Sequence, residues 1–190
     1  MSRLTLANQL TILRIVLVPI FVVLMLYDRL GAALFVFLVA GITDALDGLA
    51  ARLASQRTSL GAWLDPMADK LLLVSTFVVL TLPSVPLTNH LPAWLTIVVI
   101  SRDVVIVLFV AIINLAIGPR TFRPSLLGKS ATAVFILTSV VMLYFNYLRQ
   151  TSILIDIGIW ISLALTVASS ADYFFRVRRI VDGIVDGVRS

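Results

Sequence analysis

The sequence has no cysteine, no glutamate and a single histidine. Without cysteine, neither a disulfide framework nor a thiolate metal site can form. Charge is also scarce, because only 13% of the residues are charged while 60% are hydrophobic, and the mean hydropathy is +1.07. These values lie outside the range of ordinary soluble domains. The composition therefore predicts an integral membrane protein, and we expect no nucleic-acid partner.

Apolar runs separated by short polar breaks divide the chain into six segments. A membrane-spanning helix needs about 20 predominantly apolar residues, so a chain of 190 residues has room for about six helices and little else. The predicted spans are residues 6–27, 31–54, 60–82, 92–117, 126–148 and 153–175. We therefore predict an all-α integral membrane protein with six transmembrane helices in a single domain, residues 1–190.

Basic residues near the ends of the spans are distributed unevenly between the two sides of the membrane. Nine fall on one side, namely Arg3, Arg52, Arg57, Arg120, Arg123, Lys129, Arg176, Arg178 and Arg179. Only Arg29 and Arg149 fall on the other side. Because basic residues are enriched in cytoplasmic loops, this pattern places both termini in the cytoplasm. We expect a multi-pass protein of the cell inner membrane, with the loop at residues 55–59 also on the cytoplasmic side.

The second and third predicted spans form a hairpin that carries four aspartates. Asp44 and Asp47 are three residues apart, and Asp65 and Asp69 are four apart, so each pair shares one helix face. A charge near the bilayer centre costs about 2.5–3.5 kcal/mol, so these carboxylates must face polar surroundings. The connecting loop is centred near Arg57, which brings the two pairs to similar depths. At about 1.5 Å per residue they lie about 8–15 Å inside the cytoplasmic helix ends, within reach of a water-filled cavity.

Four converging carboxylates repel one another, and a divalent cation is the simplest source of compensating charge. Oxygen ligands select hard cations, Mg²⁺ first, with Mn²⁺ or Ca²⁺ possible. Two ions bridged by shared aspartates suit phosphoryl transfer. The alternative is a purely structural set of ion pairs with Arg52, Arg57 and Lys70, but these three cations leave four carboxylates incompletely compensated. We therefore predict divalent metal, Mg²⁺ first, at the cluster of Asp44, Asp47, Asp65 and Asp69.

The hairpin also contains a recognisable signature. It reads Asp44-x2-Asp47-Gly48-x2-Ala51-Arg52-x8-Gly61-x3-Asp65-x3-Asp69. This pattern resembles, at all eight specified positions, the signature of the CDP-alcohol phosphotransferase family. The signature covers 26 residues, and the six-helix plan extends the similarity over most of the chain. The resemblance implies a homodimeric phosphatidyltransferase that joins an alcohol to the phosphatidyl group of CDP-diacylglycerol and releases CMP.

The resemblance further implies a role for each signature residue. The four aspartates would bind two metal ions, and Asp69 would also be the general base. A primary alcohol is a poor nucleophile at neutral pH, so a buried carboxylate within hydrogen-bond reach should take its proton. The candidate residues for binding the CDP donor are Asn8, Thr11, Arg14, Asp44, Gly48, Arg52, Gly61 and Asp65. For the two glycines, plain helix packing is an equal alternative.

Four basic residues, Arg102, Arg120, Arg123 and Lys129, are candidates for binding the acceptor. For Arg102 the alternative is an ion pair with its neighbour Asp103. For the other three, the alternative is that their side chains extend to anionic lipid headgroups. The sequence thus leaves a binding role and a structural role open for each of them.

Two stretches bear on the identity of the acceptor, "SRDV" at residues 101–104 and "RPSLLGK" at residues 123–129. Both resemble the cardiolipin-forming branch of the family, whose acceptor is phosphatidylglycerol. Residues 104–113 are all apolar, so few cations lie near Arg102 to bind the two negative charges of a phosphomonoester such as glycerol 3-phosphate. We therefore expect phosphatidylglycerol as the acceptor, with glycerol 3-phosphate as the alternative.

Two other classes of protein also place carboxylates in a membrane. A prenyltransferase uses aspartate pairs with Mg²⁺, but it needs a longer chain with two separate motifs. A divalent-cation transporter needs acidic residues through the full depth of the membrane, whereas here they are concentrated in one hairpin. The transporter remains the alternative outside the enzymes.

Overall fold

A computed structural model of the chain describes the backbone of residues 6–54, 59–117 and 126–189. The surroundings of side chains are described for residues 12–43, 70–109 and 126–175, and for the isolated positions 112, 115 and 178. Within these ranges all regular secondary structure is helical, with no strand. The predicted all-α fold is therefore confirmed for the described part of the chain.

Six helices follow one another in this part of the chain. They are α1 (Leu6–Leu26), α2 (Leu30–Ala54), α3 (Ser59–Thr81), α4 (Ala93–Ile117), α5 (Leu126–Tyr147) and α6 (Ile153–Arg189). Each begins and ends within a residue or two of a predicted span, except that α6 continues past residue 175. In the part that the structure describes, Leu126–Tyr147 and Ile153–Phe175 are long and apolar enough to cross a membrane.

The extension of α6 has a basis in the sequence. Beyond Phe175, apolar residues recur at 177, 180, 181, 184, 185 and 188, with basic residues and aspartates between them. This spacing is the period of an amphipathic helix rather than of a membrane-spanning one. The fall in hydropathy after residue 175 therefore marks the end of the predicted span but not the end of the helix.

The chain folds into two compact units, one comprising Met1–Leu91 and Ser139–Ile155, the other Pro92–Thr138 and Asp156–Ser190. In the first unit α1 packs against both α2 and α3. Its buried side chains include Phe21, Met25, Phe37 and Leu80. The rings of Phe21 and Phe37 lie 5.9 Å apart and join α1 to α2.

Two turns of the first unit use the same helix-ending geometry. Asp28 after α1 and Arg149 after α5 have positive φ angles of 58° and 56°, a conformation usual for glycine. The Arg29 amide donates to Leu24 O at 2.8 Å, and the Gln150 amide donates to Phe145 O at 3.0 Å. These bonds satisfy carbonyl groups at the helix ends. The two left-handed residues then contact each other, because the Arg149 guanidinium pairs with the Asp28 carboxylate.

The connection between α3 and α4 is fixed to the end of α5 within the same unit. Asn146, which is fully buried, accepts a hydrogen bond from the Asn89 amide at 2.7 Å and donates one to Asn89 O at 3.0 Å. Arg149 donates to Pro86 O at 2.8 Å. The two bonds with Asn89 give the buried Asn146 side chain its partners, whereas the Arg149 bond to Pro86 is exposed.

The second unit contains α4, the first half of α5 and most of α6. Helices α5 and α6 approach closely at Gly158, where a Cβ atom would lie 2.9 Å from the Thr138 hydroxyl oxygen. The hydroxyl groups of Thr138 and Ser162 lie 3.3 Å apart in the same interface. Small residues allow this approach, as is common between membrane helices. The rings of Trp94 and Trp160, 6.0 Å apart, join α4 to α6.

Large apolar side chains remain exposed along the helices of both units. Examples are Phe35 on α2, Val107 on α4, Leu137 on α5 and Val167 on α6. A soluble monomer rarely exposes contiguous apolar surface on this scale. The exposure pattern accordingly agrees with helices surrounded by lipid.

Candidate functional site

The four signature aspartates lie on two helices of the first unit. Asp44 and Asp47 lie in α2, and Asp65 and Asp69 lie in α3. Because both helices are continuous there, the members of each pair are about one turn apart, as the sequence predicts. The side chains of all four lie outside the described residues, so their convergence stays a prediction.

The other donor-binding candidates lie on these two helices and on α1. Asn8, Thr11 and Arg14 lie in α1, Gly48 and Arg52 in α2, and Gly61 in α3. Helix α1 packs against both α2 and α3, so it contacts each of the aspartate-bearing helices. Among these candidates, Arg14 is the residue whose side-chain surroundings the structure describes.

Arg14 is buried in the first unit, with 1% of its surface exposed. Its neighbours on α1 at Leu13 and Ile15 are exposed apolar side chains. The helix therefore presents aliphatic groups to the outside and turns its guanidinium inward. A charged group is costly in a membrane unless it is paired or contacts a polar cavity, so the buried Arg14 side chain requires polar surroundings inside the first unit.

The structure gives Arg102 a more specific environment in the second unit. Its Nη1 lies 2.7 Å from the Asp103 carboxylate, and its Nη2 donates to the Ser169 hydroxyl at 3.1 Å. The ion pair that the sequence left as an alternative is therefore present. It does not use the whole guanidinium, because the buried Nε has no hydrogen-bond partner among the described residues.

Ser169 is a contact of Arg102 that the sequence analysis missed. Its hydroxyl is buried and donates to Thr166 O at 3.1 Å, which leaves its lone pairs for the arginine. A signal was present in the sequence, since Ser162, Thr166 and Ser169 recur at helical spacing in an apolar span. Polar groups on one face of such a helix indicate a polar contact with a neighbouring helix.

A pocket of about 400 Å³ lies beside Arg102 between α4 and α6. Its polar lining is Ser101, Arg102, Thr166, Ser170 and Tyr173, and the rest of its lining is aliphatic or aromatic. Ligand pockets commonly measure about 300–1,000 Å³ and combine an apolar wall with a few polar groups. The pocket has the size and lining of a binding site for a largely apolar molecule.

The other predicted acceptor ligands are not brought to this pocket in the described residues. Lys129 lies in the first turn of α5 and is exposed. Arg120 and Arg123 lie outside the described residues. Their binding roles therefore stay predictions.

The case for a metal site depends on the ligand chemistry of the hairpin aspartates. Among the side chains that the structure describes, no group of three or more histidines and aspartates forms a metal cluster. The single histidine, His90, contacts Val85 O at 3.2 Å in the connection after α3. The hairpin aspartates, which provide only oxygen ligands, fit Mg²⁺ or Mn²⁺ by their chemistry.

Comparison with known proteins bears directly on the resemblance seen in the hairpin. The sequence model of the CDP-alcohol phosphatidyltransferase family matches residues 4–168. The chain is 35% identical over 202 residues to human cardiolipin synthase (CMP-forming), covering 96% of this chain and 64% of the human protein. It is 38% identical over 135 residues to the cardiolipin synthase (CMP-forming) of Streptomyces coelicolor, covering 68% of this chain and 60% of that protein.

A third relative carries a different name. The chain is 32% identical over 186 residues to the CDP-diacylglycerol--glycerol-3-phosphate 3-phosphatidyltransferase of Bacillus subtilis, covering 89% of this chain and 93% of that protein. The matched region includes the aspartate hairpin and most of the helices around it. The family resemblance in the sequence is therefore confirmed, and the chain belongs to the CDP-alcohol phosphatidyltransferase family.

Proposed function

We propose that the chain is a metal-dependent phosphatidyltransferase that transfers a phosphatidyl group from CDP-diacylglycerol to an alcohol and releases CMP. The observation that carries the proposal is the complete eight-residue signature on α2 and α3, within a family match over residues 4–168. The relatives' names support it, since they denote a CMP-forming synthase and a phosphatidyltransferase. A divalent-cation transporter, the alternative class, has no such support.

The family is membrane-associated, and we propose that all six helices span the bilayer as one domain. At about 1.5 Å per residue, even the 21-residue α1 is about as long as the hydrocarbon core is thick. The uneven distribution of basic residues supports cytoplasmic termini and a cytoplasm-facing active site in the inner membrane. A homodimer is proposed from the family resemblance, and a monomeric mass in native membranes would contradict it.

The family generally depends on divalent metal, and we propose that Asp44, Asp47, Asp65 and Asp69 hold two Mg²⁺ or Mn²⁺ ions. Their all-oxygen chemistry and one-turn spacing on continuous helices support this assignment. When bound, such ions would offset the negative charge that develops on the phosphate and on the leaving CMP.

Within the reaction, Asp69 is proposed as the base. The acceptor oxygen bonds to the phosphatidyl phosphorus, the phosphoanhydride bond to CMP breaks, and the acceptor's hydroxyl proton passes to the Asp69 carboxylate. Asn8, Thr11, Arg14, Gly48, Arg52 and Gly61 are proposed to hold the CDP-diacylglycerol. The buried guanidinium of Arg14 supports its part, because a phosphate is a good acceptor for it.

Phosphatidylglycerol is the acceptor that we propose, which makes the product cardiolipin. The cardiolipin synthase names of two relatives support this choice. The surroundings of Arg102 support it too, because one partly paired guanidinium beside an apolar pocket suits a phosphodiester with acyl chains. Glycerol 3-phosphate remains the second candidate, and the Bacillus subtilis relative, 93% of which is covered, favours it.

The deciding assay offers CDP-diacylglycerol with each acceptor separately, in detergent with Mg²⁺ or Mn²⁺, and measures CMP and the mass of the lipid product. We expect cardiolipin with phosphatidylglycerol. Phosphatidylglycerophosphate as the sole product would refute the choice of acceptor, while no CMP with either acceptor would refute the transferase. Asp69→Asn should release CMP at least about a hundredfold more slowly, and Asp156→Asn, at an exposed position in the first turn of α6, is the matched control.

A further inference from the structure

The pocket between α4 and α6 combines two features that one ligand could satisfy. Ser101, Arg102 and Ser170 contribute polar groups to its wall, whereas Val105 and Phe109 contribute apolar surface further along α4. Because all of its lining belongs to the second unit, the pocket is formed by that unit alone. A molecule that matches it has a charged or polar group and an apolar chain.

The polar part of the pocket suits an anion. Asp103 and Ser169 hold the two terminal nitrogens of Arg102, which fixes the orientation of the planar guanidinium. The buried Nε of Arg102 still lacks an acceptor among the described residues. A buried donor without a partner is costly, and a phosphate oxygen is a strong acceptor for it.

The apolar part of the pocket is accessible from the outside of the protein. Its lining includes Val105, Val167 and Phe174, all of which have exposed side chains on α4 or α6. In a membrane this exterior is hydrocarbon, so an acyl chain could enter sideways without crossing water. A small water-soluble acceptor has no apolar chain that could pack against this lining.

We propose that this pocket binds an acyl chain of the phosphatidylglycerol acceptor, with the acceptor's phosphodiester at Arg102. The inference rests on the proposed function and deepens it, because it gives the acceptor's lipid part its own site. Three other occupants are possible by chemistry alone: the donor CDP-diacylglycerol, bulk lipid of any headgroup, and a helix of a second copy.

The chain offers a closely matched pair of variants for the test. Val105 lines the pocket and Val104 does not, yet they are adjacent on α4 and have nearly equal exposure, 52% and 50%. Val105→Trp should fill the pocket, whereas Val104→Trp adds the same ring elsewhere on the helix. We expect Val105→Trp to lower kcat/KM for phosphatidylglycerol about tenfold or more, in line with the cost of altering an apolar pocket. Val104→Trp should change kcat/KM less than twofold.

Binding is measured separately from turnover with phosphatidylglycerol that carries a photoreactive group in one acyl chain. The probe is added to the protein in phosphatidylcholine nanodiscs, and labelled peptides are identified by mass spectrometry. We expect labelling of the pocket-lining parts of α4 and α6, competed by unlabelled phosphatidylglycerol. The labelling should be lost in Val105→Trp and kept in Val104→Trp.

Each other result contradicts the inference. Equal competition by added phosphatidylcholine would mean bulk lipid, and competition by CDP-diacylglycerol alone would mean the donor. Cross-links through α4 or α6 between two protomers would mean a second copy. If the chain releases CMP with phosphatidylglycerol but the two variants behave alike, the inference fails while the proposed function stands. If no acceptor yields CMP, the proposed function fails, and the labelling still reports whether the pocket binds this lipid.

Discussion

The close approach of α5 and α6 at Gly158 leads to a quantitative expectation. An alanine there would place its Cβ atom 2.9 Å from Thr138 Oγ1 and 3.0 Å from Thr138 Cγ2. Thr138 is a buried, β-branched side chain, so it has little freedom to move away. Overpacking of this kind costs about 1–3 kcal/mol. We therefore expect Gly158→Ala to lower the free energy of unfolding by that amount.

Gly41 provides the control, because a Cβ atom there meets nothing within 4 Å. In α2, Gly41→Ala should be neutral or stabilising by up to about 1 kcal/mol, the usual helix preference for alanine. Unfolding of both variants can be followed by circular dichroism in mixed micelles as the SDS fraction rises. The double variant Gly158→Ala with Thr138→Ala should recover part of the loss. Equal stability of the two single variants, or no recovery in the double variant, would refute the reasoning.

Three further expectations concern the site and the turns. Asp69→Asn should lower kcat about a hundredfold or more, the usual contribution of a general base. Asp47→Asn should mainly raise the metal concentration that gives half-maximal activity. The reverse pattern in a metal titration would refute these roles. Ser169→Ala removes the hydroxyl that accepts from Arg102, so KM for phosphatidylglycerol should rise severalfold at unchanged kcat, and an unchanged KM would argue against a positioning role. Arg149→Ala should lower the free energy of unfolding by less than about 1 kcal/mol, because its pair with Asp28 is exposed. Asn146→Ala should lower it by about 1–3 kcal/mol, because buried polar groups are left unpaired. Equal stability of the two variants in SDS unfolding would contradict this difference.

The helices could be predicted from the sequence because hydropathy responds to the length of each apolar run. Five of the six spans match a helix within two residues at each end. The same signal could not predict the end of α6, since its last turns are amphipathic rather than apolar. It also could not predict the left-handed turns at Asp28 and Arg149, where neither residue is the glycine that such a turn favours.

In the candidate site, too, the sequence predicts the local features and misses the contacts between distant residues. Fixed spacings within one hairpin are local, so the aspartate signature could be recognised from residues 44–69 alone. The contacts of Arg102 are only partly local. Its pair with Asp103 is between neighbours, but its bond to Ser169 joins residues 67 positions apart. Neither that partner nor the adjoining pocket follows from the sequence around "SRDV".

The pairing of Asp28 with Arg149 has a consequence for how the protein is made. The two residues are 121 positions apart in the chain, and both belong to the first compact unit. During synthesis the first three helices emerge well before the segment Ser139–Ile155 that completes this unit. The helices of the second unit up to Thr138 are also translated in between. Helices α1, α2 and α3 can pack on one another early, but the Asp28–Arg149 pair can form only after the turn that follows α5 has been synthesised, so the aspartate-bearing unit is completed late in biogenesis.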